Sequence, residues 1–86
     1  MKKLVVNDKN ELIEQILKTI VNVGPGADFN YIDTSQITNM SNLFYKSEFN
    51  GKIDQWDVSK VTSMESMFMC SKFNGDISKW NVSRVT

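Results

Sequence analysis

Residues 49–62, FNGKIDQWDVSKVT, return 24 residues later as FNGDISKWNVSRVT over 73–86, with nine positions identical. Self-similarity at such a period constrains the fold more than any local propensity, because each unit is too small to bury its own apolar face and has to lie against a neighbour. A weaker copy comes first at the same offset: DTSQITNMSNLFYKSE from Asp33 matches DVSKVTSMESMFMCSK from Asp57 at Asp, Ser, Thr, Met, Phe and Ser. The expected units are 28–48, 49–72 and an incomplete 73–86, about two and a half repeats in all.

Within one unit the pattern reads as turn, short strand, link and short helix. Asn50-Gly51 and Asn74-Gly75 are turn dipeptides, and the runs 53–58 and 77–82 alternate Trp and Val with polar residues as a half-buried strand does. Thr62 with Glu65 three residues on forms a capping box, after which Met64, Met67 and Phe68 fall on one side of a short helix. Thr38, Met40, Leu43 and Phe44 repeat this one unit earlier. The residues therefore predict a small α/β solenoid.

Ahead of the repeats, residues 1–27 carry an amphipathic helix. Leu12, Ile13, Ile16, Leu17, Ile20 and Val21 recur at helical spacing, with Glu11, Glu14, Gln15 and Lys18 on the other face. Asp8 and Glu11 read as a capping box, and Gly24-Pro25-Gly26 stops the helix. An apolar stripe of this kind belongs against the repeats as an amino-terminal cap, or else against a partner.

Ten Lys and Arg balance ten Asp and Glu, so the chain lacks the positive field that binding to phosphate backbones requires. With no His and a single Cys, neither a usual zinc set, nor a Ser-His-Asp or Cys-His nucleophile, nor an internal disulfide can be assembled. The Met1-Lys2-Lys3-Leu4-Val5-Val6 start imitates a secretion signal, but Asn7, Asp8 and Lys9 interrupt its apolar run. A soluble cytoplasmic chain is expected as the sequence stands, with the cell surface as the alternative if a leader has been removed. No membrane insertion, nucleic acid or cofactor is expected.

The run W-D/N-V-S-x-V-T-x-M-x-x-M-F, followed by F-N-G-D-I-S-x-W, resembles the DUF285 family of bacterial surface-protein and lipoprotein repeats about 25 residues long. The resemblance covers 28–86, and the preceding helix with its Asp28-Phe29-Asn30-Tyr31-Ile32-Asp33 stretch is similar to family members as well. What it implies is a short leucine-rich-repeat-like solenoid with an amino-terminal capping helix, acting in interaction rather than catalysis.

Candidate sites are read against structural roles. Trp56 and Trp80 fit a stacked core column better than a platform for sugars or nucleobases, and Met40, Met64, Met67 and Met69 fit core filling better than an adaptable groove. Asp54 and Asp57 flank Trp56, but Ser78 and Asn81 replace them in the next unit, so solvated carboxylates are the default. If Trp56 and Val58 point inward, Gln55 and Asp57 point outward, and the period sets Tyr31, Asp33, Lys79 and Asn81 beside them as a partner-binding face. The final unit, with Ile77, Trp80, Val82 and Val85, is expected to meet a second copy in a homodimer, unless the chain is a fragment of a longer array or that end is itself the partner site. The function expected from these readings is a non-enzymatic protein–protein interaction module. The alternatives are a small inhibitor of a bacterial or phage-encoded enzyme, and a surface adhesion or glycan-binding fragment.

Overall fold

The computed structural model describes residues 3–85. Residues 1 and 2 of the expected cap, and Thr86 at the end of the third unit, lie outside the described residues. Strand β1 (Leu4–Val5) is followed by helix α1 (Lys9–Val23) and strand β2 (Ile32–Asp33), and β1 pairs with β2 in parallel with Leu4 opposite Ile32 and Val5 opposite Asp33. No helix among the described residues is long and apolar enough to cross a membrane.

Helix α1 begins where its side chains supply acceptors. Asp8 is extended at φ −149° and accepts the Glu11 N–H at 2.9 Å, while Glu11 Oε1 accepts the Asn7 N–H at 2.6 Å. This is a capping box whose returning bond lands one residue earlier than usual. Gly24, at φ 105°, donates its N–H to Ile20 at 2.8 Å and closes the helix. Of the six apolar residues in the expected stripe, Leu12 and Ile16 are buried and Ile13 and Ile20 half-buried, whereas Leu17 and Val21 stay 60% and 84% exposed. The helix touches the rest of the chain along the line of Leu12, Ile16 and Ile20, and Leu17 and Val21 are turned off that line. Lys9 Nζ donating to Ser41 Oγ at 3.1 Å, and the Thr19 hydroxyl 2.8 Å from the Tyr31 hydroxyl, pin its flank.

The repeats do not form the expected leucine-rich-repeat-like α/β solenoid. Among the described residues there is one helix and one two-stranded sheet, and neither the strands expected at 53–58 and 77–82 nor the short helices expected after Thr38 and Thr62 are present. β-turns stand in their place. Backbone bonds of 3.0–3.3 Å close turns at 29–32, 34–37, 40–43 and 44–47, again at 53–56, 58–61, 64–67 and 68–71, and again at 77–80 and 82–85. Asn42, Lys46, Ser66 and Cys70 occupy the third position of their turns with φ between 55° and 59°, the mark of type II geometry and incompatible with an α-helix. The Met64, Met67, Phe68 spacing thus reflects turn corners that face one side, not helical rise.

The physical reason is where the backbone donors go. The N–H groups of Met40, Asn42, Phe44 and Lys46 donate to the carbonyls of Ser63, Glu65, Met67 and Met69, each at 2.9 Å. A helix through either segment would turn these groups along its own axis. Each non-glycine residue in the left-handed region costs roughly 1–2 kcal/mol, and the inter-segment bonds with the packing they permit offset that cost. Isolated parallel bridges join Asp28 to Lys52 and Asn39 to Ser63.

The same offset organises the core. Phe44 stacks on Phe68 at 5.8 Å and 8°, Phe49 on Phe73 at 5.6 Å and 3°, and Trp56 on Trp80 at 6.4 Å and 7°. Each indole N–H reaches a carbonyl in the preceding unit, Trp56 to Phe29 at 2.9 Å and Trp80 to Ile53 at 3.0 Å. Gly51 is required for a different reason from the turn its Asn-Gly sequence predicts. A Cβ there would lie 1.7 Å from the Ala27 carbonyl oxygen, because Asn50 and Lys52 donate to Pro25 and Ala27 at 2.8 and 3.1 Å and draw the two backbones together.

Candidate interaction surface

Trp56 and Val58 are buried while Gln55 and Asp57 are exposed, although no strand produces the alternation. Two turns, 53–56 and 58–61, set it instead. Tyr31, Gln55 and Lys79 fall in one column of equivalent positions and are exposed. Asp33, Asp57 and Asn81 fall in the next column, half-buried at Asp33 and exposed at the other two.

The polar members of the second column have local partners. Asp33 Oδ1 accepts the Ser35 N–H at 2.9 Å, Asp57 Oδ1 accepts both the N–H and the hydroxyl of Ser59 at 3.0 and 2.6 Å, and Asn81 Oδ1 accepts the Ser83 N–H at 3.1 Å. These are Asx-turns, which hold the chain at the start of a β-turn. The serine bonds lower the pKa of Asp33 and of Asp57 against the opposing effect of desolvation, to which the nearby Asp33 charge adds a smaller opposition at Asp57. Asp76, bonded to Ser78 at 2.9 Å, is lowered in the same way.

A second arrangement was not legible as a site in the sequence. An open groove of about 520 Å³ is lined by Asp28, Asn30, Lys52, Asp54, Gln55 and Asp76 among others. Asp28, Lys52 and Asp76 are equivalent positions in successive units. Asn30 holds the groove wall together: its Nδ2 donates to Asp54 Oδ1 at 2.9 Å, and its Oδ1 accepts the Gln55 N–H at 3.0 Å. Asp54, read from sequence as a solvated carboxylate, is half-buried in this pair. The signal was the 24-residue offset between Asn30 and Asp54, which pairs unlike residues and so escapes a search for identities. Asn50 extends the wall by accepting the Asn74 N–H at 2.9 Å. Among the described residues no group of three or more His, Cys, Asp or Glu is placed to hold a metal ion.

At the other end of the repeats, Trp80 is enclosed within its own chain at 8% exposure. What this end offers to a second copy is Val82, 48% exposed, and the half-buried Ile77 and Val85. Cys70 is exposed and unpaired, and Met69 is 56% exposed.

No curated protein and no solved structure matches the chain. A family described as a Mycoplasma protein of unknown function, DUF285, matches residues 13–86. That span takes in most of α1 and all the repeats, including the Trp, Phe and Met positions whose stacking builds the core, and the chain belongs to the DUF285 family.

Proposed function

We propose that the chain is a non-enzymatic protein–protein interaction module whose partner lies along the groove between Asp28 and Asp76. The observation that carries this reading is the build of that groove: equivalent positions of successive units supply Asp28, Lys52 and Asp76 in a line, open to solvent and braced by the Asn30 bridge to Asp54 and Gln55. An open, mixed-charge surface suits another polypeptide, because small-molecule sites enclose most of their ligand in an apolar cleft. Gln55 belongs both to this groove and to the column with Tyr31 and Lys79, so the two surfaces are continuous. The tryptophans, at 3% and 8% exposure, present no open ring face on which a sugar could stack, which disfavours the glycan alternative.

A photo-crosslinking residue placed at Gln55, and separately at the exposed Glu14 of α1, tests the reading. Adducts of one defined protein formed from Gln55 and abolished by Lys52→Glu are expected. Adducts from Glu14 alone would move the interaction to the helix and overturn the groove.

A further inference from the structure

Charge order and spacing restrict what can lie in the groove. Asp28, Lys52 and Asp76 alternate in sign at equivalent positions of successive units, and all three are exposed. Lys52 has a unit on either side of it and is exposed all the same, so the line runs along the flank of the stack and not across an end. Among the described residues none of the three side chains pairs with another. Asp28 and Asp76 accept the backbone N–H groups of Asn30 and Ser78, each at 2.9 Å, and the Lys52 ammonium has no acceptor. Asp54 is held by Asn30 and belongs to the groove wall.

Backbone bonding sets the spacing of the line. Lys52 donates its N–H to the Ala27 carbonyl at 3.1 Å and accepts the Phe29 N–H at 2.9 Å, which makes the parallel bridge between Asp28 and Lys52. Backbones joined in this way lie about 4.8 Å apart. The step to Asp76 is of similar size, since the Phe49 and Phe73 rings three residues back stack at 5.6 Å. The charges therefore stand at roughly 0, 5 and 10 Å along the stack. An extended strand laid on this line places its same-face residues about 6.8 and 13.5 Å from the first, and is about 3.5 Å out of step by the third charge. A helix places residues i+3 and i+7 about 4.5 and 10.5 Å along its axis and on one face, so it meets both.

Resting on the interaction reading above, we propose that the line of Asp28, Lys52 and Asp76 docks an α-helix of a partner protein that carries a basic residue at i, an acidic residue at i+3 or i+4 and a basic residue at i+7. The alternation sets the register, because a helix displaced by one unit brings like charges together. It provides selectivity more than affinity.

The test is selection of displayed peptides on the folded chain. One library presents Lys, Glu or Ala at positions i, i+3, i+4 and i+7 on one face of a stable helical hairpin, and a second presents them at i, i+2 and i+4 of a β-hairpin strand. Helices with Lys, Glu and Lys in that order are expected to be enriched about tenfold over the all-Ala version, as three exposed ion pairs together provide. Against Lys52→Glu the choice at the middle position should switch from Glu to Lys. Enrichment without charge order, the same helices selected by Lys52→Glu, no enrichment at all, or preference for the β-hairpin library would each overturn the proposal. Any of these results with Gln55 crosslinks still formed and lost on Lys52→Glu removes the helical partner alone, whereas absence of Gln55 crosslinks removes the interaction reading beneath it.

Discussion

At the amino-terminal end of the repeats α1 and β1 lie against the first unit, and Val6, Leu12, Ile16, Phe29 and Ile32 are all at least 96% buried. At the other end the same motif stands half-open. Phe49, Ile53 and Val58 are 0–1% exposed, but the identical residues Phe73, Ile77 and Val82 one unit later are half-buried, half-buried and 48% exposed. Residue type and local sequence are matched, so the difference is one of coverage. In this chain a side chain is buried by the next segment that lies on it, and the hydrophobic stabilisation of a repeat position is set by its neighbour.

Tryptophan truncation should show the largest contrast. Trp56 lies between Phe44 at 6.2 Å and Trp80 at 6.4 Å, and Trp56→Ala is expected to cost about 3–5 kcal/mol by chemical denaturation. Trp80→Ala should cost less, and equal costs would mean that the last unit is covered in solution as fully as the one before it. On the covering helix, Leu12→Ala should lose about 2–5 kcal/mol, while Leu17→Ala stays within about 0.5 kcal/mol. A comparable loss at Leu17 would mean that the outer stripe of α1 is covered in solution.

The glycines sharpen the same point. Gly51→Ala pushes a methyl into the Ala27 carbonyl oxygen and should cost about 3 kcal/mol, at the upper end for overpacking, because rigid backbone must yield. Gly75→Ala meets the Phe73 ring at 2.6 Å, with the nearest backbone oxygen, that of Gly51, at 3.4 Å, and a half-buried ring can move aside. Its cost should be clearly smaller, and thermal melts of the two variants at one pH give the answer.

The smallest effect is electrostatic. Asp33, Asp57 and Asp76 have pKa values lowered in the folded chain by their serine hydrogen bonds. A carboxylate depressed on folding contributes stability that is present above its unfolded pKa, near 3.8, and is lost as pH falls through the folded value. Stability should therefore be flat near neutrality and decline below about pH 4. Asp57→Asn keeps an oxygen for the Ser59 N–H, as Asn81 does for Ser83, so it should change neutral stability little and flatten the acid decline. An unchanged acid slope would show that Asp57 does not contribute to it.

The period, the helix with its Asp8 cap and Gly24 stop, and the inward set of Trp56, Val58 and Trp80 can be read from residue order, because each follows from spacing or from a local backbone preference. The Asn30–Asp54 bridge and the groove beside it stayed hidden, since their partners lie 24 residues apart and differ in type. The conformation of the repeats was decided only by tertiary structure. Met64, Met67 and Phe68 carry a helical spacing, and Thr62 with Glu65 carries a helix-start signature, yet the segment takes type II turns through Ser66 and Cys70. Local signals weigh the bonds a segment can make with itself. Here the carbonyls of Ser63, Glu65, Met67 and Met69 find donors in the preceding unit, and four bonds made together with ring stacking outweigh one marginal turn of helix.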